Sequence, residues 1–189
     1  MSHFELQPGQ LQLSELRHWF YQHQTLKLSD EAKDNIATSA KTVADVLEQG
    51  RVVYGINTGF GLLANTRIPP ERLTDLQRRI VLSHAAGTGD LMEDAVVRLM
   101  LLLKINSLSR GFSGVRQVLV DALIKLLNAE VYPCIPEKGS VGASGDLAPL
   151  AHMVLPLVGE GTVRHNGEVL NAKEGLKIAG IEPFELAPK

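Results

Sequence analysis

The stretch "VVRLMLLLKI" at 96–105 constrains the fold more than any other part of the chain. Caps and apolar period predict a helix from about Glu93 to Ser109. It is apolar nearly all round, interrupted only by Arg98 and Lys104. Such a helix is expected to be buried, so neighbouring elements must cover it. The run is far too short to span a bilayer.

Further helices are available for that cover. Ser14 and Ser29 are N-cap candidates. After Ser29, the residues Ala32, Ile36, Ala40, Val43, Ala44 and Leu47 keep helical spacing, and Gly50 stops the run. Thr74 can cap a helix that carries Leu76, Ile80 and His84. Gly111 and Gly114 punctuate before a helix through Val118, Leu119, Leu123 and Leu127. Asp146 can cap a helix carrying Leu150, Met153 and Leu157, and Asn171 a last short one ending near Gly180. "VYPCIPEKGSVGASG" bears prolines and reads as loop. "TVRHNGEVL" reads as a hairpin, because Asn166-Gly167 suits a type I′ turn. The fold class is therefore mainly α, with a small β-hairpin and loops that hold the unusual residues.

Bulk properties exclude several functions. A net charge of -2 with no Lys/Arg block gives no reason to expect nucleic acid or an anionic membrane as partner. The first residues lack the basic and apolar regions of a signal peptide. Cys134 is the single cysteine, so no internal disulfide can form, and a cytoplasmic location is expected.

The stretch "KGSVGASGDLAPLAHM" at 138–153 gathers tiny residues ahead of a buried-looking helix. A serine nucleophile elbow needs G-x-S-x-G, but here the second glycine, Gly145, comes one position early. Gly59-Phe60-Gly61-Leu62-Leu63-Ala64 satisfies a dinucleotide fingerprint, yet Pro69 and Pro70 interrupt the helix it must open. The six histidines form no metal-ligand spacing; His18 and His23 read as solvated helix positions, His165 as flanking an exposed turn, and His152 as a satisfied histidine beside the core. A fourth possibility uses the backbone. In a compressed loop the Gly145 amide nitrogen could attack the Ala143 carbonyl and close a five-membered ring. Loss of that water, and of the Ser144 hydroxyl as a second water, would leave an exocyclic methylene, an electrophile made without metal or added cofactor. Glycine gives access, alanine adds little bulk, and serine supplies the leaving group. On residues alone, an ordinary turn remains the competing reading.

The motifs "YGINTGFG" from Tyr54, "VLSHAAGTG" from Val81, "RGFSGV" from Arg110 and "GSVGASGDLAPLAHM" from Gly139 run in one order along most of the chain. Together they resemble the N-terminal part of the aromatic amino-acid ammonia-lyase family, and its histidine-specific members most. The resemblance implies that Ala143, Ser144 and Gly145 form the methylidene-imidazolone (MIO) group autocatalytically, with no external cofactor and no metal. It implies that Tyr54, on a mobile glycine loop, is the base that takes the substrate β-proton. In the cyclisation read from the residues themselves, Asp146 could assist the proton transfers or cap the following helix. Ser83 and His84 fall where the family varies with substrate. An imidazole there can hydrogen-bond another imidazole, which both donates and accepts.

The implied reaction is non-oxidative elimination of ammonia from L-histidine to give trans-urocanate, the first step of histidine degradation. Implied organisation is an N-terminal mainly helical domain over 1–110 and the start of a central helical domain over 111–189, within a homotetramer. Family members are longer, so a 189-residue chain is expected to be a fragment, inactive by itself and prone to self-associate through uncovered apolar surface. The alternatives are a related tyrosine or phenylalanine lyase or aminomutase, or a truncated non-catalytic chain that binds a partner.

Overall fold

The computed structural model describes residues 3–58, 70–142 and 145–186. The expected central helix is present as α4 (Asp94–Leu108), with Glu93 and Ser109 at its caps. Val97, Leu101, Leu102 and Ile105 are buried. Its cover is less complete than the sequence suggests, because Leu103 is 44% exposed and Val96 37%. α4 packs on α1 (Leu13–Tyr21) and on α5 (Gln117–Asn128). α5 buries Val120, Leu123, Leu126 and Leu127 in the same core. Arg98, the polar break in α4, is absorbed: its guanidinium donates to Tyr132 Oη and to the Trp19 and Phe20 carbonyls.

α2 (Asp30–Glu48) begins where Ser29 Oγ accepts from the Ala32 amide, and the chain leaves it through Gly50 at φ +64°. Other caps differ from expectation. α1 starts at Leu13, with Ser14 inside it, and the Glu15 carboxylate accepts from the Gln12 amide at 2.7 Å. α3 (Pro70–His84) starts before Thr74; proline suits a first helical position, where no amide donor is needed.

Short strands tie the helices together. β1 (His3–Leu6) and β2 (Thr25–Leu28) pair in parallel around α1, a pairing that sequence reading misses because each has only four residues. The segment read as loop supplies β4 (Tyr132–Pro133) and β5 (Pro136–Lys138). β5 pairs antiparallel with β3 (Thr88–Leu91). The hairpin is present as β6 (Thr162–His165) and β7 (Glu168–Asn171), turning through Asn166 at φ +51° and Gly167 at φ +81°, and it adds to β4. α6 (Leu147–Val154) runs into a 3-10 turn at Leu155–Val158. α7 (Ala172–Ile178) is capped by Asn171, which accepts from the Glu174 amide. His23 is not a solvated helix position: it follows the end of α1, and its Nε2 donates to the Leu127 carbonyl at 3.0 Å. Among the described residues no helix is long and apolar enough to cross a membrane.

α7 meets β6 where Gly175 faces Val163, and a Cβ added there would lie 2.2 Å from Val163 Cγ2. Val163 is fully buried and has no room to yield. Gly175→Ala therefore costs about 3 kcal/mol by overpacking, against about 1 kcal/mol returned by helix propensity. Urea unfolding should show a net loss of about 2 kcal/mol; an unchanged midpoint would contradict this packing.

Candidate functional site

Of the tiny-residue segment, Ala143 and Ser144 lie outside the described residues, as do Gly59 and Gly61. Gly145 has φ +97°, in the region glycine favours. Among the described residues, a Cβ added at Gly145 would meet Leu147 Cδ2, at 3.6 Å. Asp146 occupies the N-cap position of α6 but does not cap it with its side chain. Its backbone is left-handed, φ +35° and ψ +58°, whereas a capping side chain needs an extended backbone to turn back on the first amides. Asp146 Oδ1 is instead buried without a hydrogen-bond partner among the described residues. A buried acceptor left unpaired costs about 1–3 kcal/mol.

Both flanks of the segment are held against one turn. Upstream, Lys138 in β5 pairs with Thr88 in β3. Gly139 then crosses Gly87 so closely that an added Cβ would sit 3.1 Å from Gly87 Cα. The same Cβ would lie 3.2 Å from Ala148 Cβ in α6. Downstream, His152 Nε2 accepts from the Gly87 amide at 3.0 Å. An amide N–H only donates, so Nε2 is unprotonated and the neutral imidazole carries its proton on Nδ1. His152 is thus the satisfied histidine expected from sequence, but its contact with Gly87 was not legible there. The available signal was the pair of motifs "HAAGTG" and "LAPLAHM", whose meeting depends on the fold.

Ser83 and His84 end α3, one turn before Gly87. His84 Nδ1 lies 2.7 Å from the Ile80 carbonyl, and Ser83 Oγ lies 3.1 Å from the same oxygen. A carbonyl only accepts, so Nδ1 carries a proton and the ring is oriented by its own helix. His84 lines a cavity of about 270 Å³ together with Ile80, Lys104, Leu123, Leu147 and Leu150. The cavity walls are almost wholly apolar, and burial alone pushes the Lys104 amine below its ordinary value. His84 therefore shares a cavity with the start of α6, the helix that follows Gly145 and Asp146.

Tyr54 is 63% exposed at the head of a turn, not a buried core tyrosine. The turn is shaped by Asn57, which is almost fully buried. Asn57 Oδ1 accepts from the Val53 amide at 2.9 Å, and its Nδ2 donates to the Arg51 carbonyl at 2.7 Å. Gly55 supplies the positive φ of +77°. Ile56 borders a different cavity from His84, shared with Thr42 of α2 and with Gly111 and Phe112. "RGFSGV" is docked on α2: an added Cβ at Gly111 would lie 2.6 Å from the Asn35 carbonyl oxygen, and the Gly114 amide donates to Ser39 Oγ. Asn57 was missed in the sequence reading, although a lone amide inside a glycine turn is a usable sign of a side-chain brace.

A family model described as aromatic amino acid lyase matches residues 11–189. A curated relative from Idiomarina loihiensis, named histidine ammonia-lyase, is 98% identical over 189 residues, which is 100% of this chain and 37% of the relative. A histidine ammonia-lyase of Vibrio cholerae is 59% identical over the same coverage. Among solved structures, the ergothioneine-degrading enzyme Ergothionase from Treponema denticola gives a TM-score of 0.94 at 29% identity, covering 99% of this chain and 37% of that one. Histidine ammonia-lyase from Trypanosoma cruzi gives 0.90 at 36% identity, covering 98% of this chain and 36% of that one. The chain spans a little over a third of the length of the curated relatives it matches.

Burial pushes the His152 imidazole below its ordinary value. Its folded pKa lies below the unfolded one, so the stability it contributes is present above about pH 6.5. That stability is lost as pH falls through the lower folded value. Urea midpoints measured at about pH 8 and about pH 5 should fall more for the wild-type chain than for His152→Gln. Equal falls would show that His152 is not held neutral.

Proposed function

The chain belongs to the aromatic amino acid lyase family, and from that premise we propose that it is the N-terminal part of a histidine ammonia-lyase. The proposed reaction is elimination of ammonia from L-histidine to give trans-urocanate. The observation that carries the choice of substrate is Ser83-His84 at the end of α3. His84 has Nδ1 committed to the Ile80 carbonyl, which leaves Nε2 to meet the substrate. An imidazole substrate can answer that nitrogen, whereas a phenyl ring cannot. The 98% identity to a relative of that name supports the same choice.

The residues around the tiny-residue segment fit formation of an MIO group from Ala143, Ser144 and Gly145. Gly145 has the positive φ that a glycine backbone accepts without a Cβ penalty, as a tight loop needs. The unpaired Asp146 Oδ1 beside it is an acceptor available for proton transfer during ring closure. Once formed, the group supplies an electrophilic methylene that makes the substrate's ammonia a better leaving group. Tyr54 takes the β-proton through its Oη. The Asn57 brace holds the turn that presents Tyr54. Closure of this loop excludes water from the reacting atoms. The remaining walls come from chain beyond the 37% represented here and from other subunits of a homotetramer, in the cytoplasm.

Two measurements on the full-length protein test this reading. Peptide mapping should show loss of two waters localised to residues 143–145; an unmodified segment would exclude the electrophile. Urocanate formation followed by absorbance should fall about 10²–10⁴-fold in Tyr54→Phe, and unchanged turnover would remove Tyr54 as the base. In His84→Leu, histidine turnover should fall while dehydration of 143–145 is retained; equal turnover would remove the substrate assignment.

A further inference from the structure

Ring closure at Ala143-Ser144-Gly145 requires the segment to be compressed, and compression requires that both ends be fixed. We propose that His152 is a positioning residue for this reaction: by accepting the Gly87 amide it clamps the downstream flank to the same turn that holds the upstream flank.

Gly87 is the common point. From upstream, β5 pairs with β3 at Thr88, and Gly139 crosses Gly87 at the contact limit of two backbones. From downstream, His152 holds α6 to Gly87 by a hydrogen bond of 3.0 Å, with Ala148 packed against Gly139. The described flanks of the segment, Gly139 upstream and α6 downstream, therefore meet at Gly87, and the His152 bond opposes their separation. The contact tolerates little change. A Cβ added at Gly87 would lie 3.1 Å from His152 Nε2 and 3.3 Å from Pro136 Cβ. The hydrogen bond of His152 is to Gly87, so it acts through the turn. An apolar residue of similar size would fill the space but leave the Gly87 amide unpaired and the downstream end free to slide.

The inference rests on the proposed cyclisation, and the experiment separates the two. Full-length protein is made in a cell-free synthesis pulse, and peptides spanning 143–145 are sampled over time for loss of two waters. His152→Leu should slow dehydration about fivefold, the equivalent of one net hydrogen bond. His152→Gln places an amide oxygen near the position of Nε2 and should restore most of the rate. Gly175→Ala, destabilised at the contact of α7 with β6 and not at Gly87, should dehydrate at the wild-type rate. Wild-type rates in His152→Leu, or no rescue by His152→Gln, would overturn the positioning role alone. Slowing in Gly175→Ala equal to that in His152→Leu would reduce the effect to general stability and overturn it too. A wild-type segment that never loses water would overturn the cyclisation reading and this proposal with it.

Discussion

The close crossing of Gly87 and Gly139 is the constraint on which the site depends. A Cβ on Gly139 would lie 3.1 Å from Gly87 Cα, so a side chain there would force the two backbones to shift. The crossing lets β5 lie against β3, brings α6 within reach of the turn after α3, and so gathers two of the four family motifs at one place. It thereby brings both described flanks of the 143–145 segment close to the end of α3, which carries Ser83 and His84. On the proposed reading, the specificity pair and the electrophile are coupled through a turn that carries neither function itself.

Helices with strong period were legible in the sequence, and so were the caps made by Ser29 and Asn171, because a cap and an apolar stripe are local patterns. Failures came where local chemistry was overruled by what lay across the fold. Asp146 has the residue type of a cap but a left-handed backbone, so its oxygen is withheld from the α6 amides. Ser14 and Thr74 lost the start of their helices to Glu15 and Pro70, each of which satisfies or removes an orphan amide in its own way. His23 looked solvated because nothing near it in sequence reveals the Leu127 carbonyl, more than a hundred residues on.

The site divides along the same line. Residue identities of the candidate chemistry could be read from motifs, since Tyr54, Ser83, His84 and Ala143-Ser144-Gly145 stand in a recognisable order. The residues that hold them could not. Asn57 shapes the Tyr54 turn and His152 ties α6 to Gly87, yet each is a lone polar residue whose partner is a backbone group chosen by the fold.

Exposure explains why the chain carries reactive groups but few walls. Tyr54 is 63% exposed, Val141 80% and Leu147 57%, all at or beside the elements that bear the proposed chemistry. The proposed elimination needs a site closed to water, because water would solvate both the base and the leaving amine. Apolar side chains left in solvent beside such groups are surfaces shaped for cover. The 37% coverage of the relatives supplies a physical source for that cover in further chain. On the proposed reading, the first part of the protein fixes where the electrophile forms and which nitrogen meets the substrate, and the remainder makes those groups effective by excluding solvent from them.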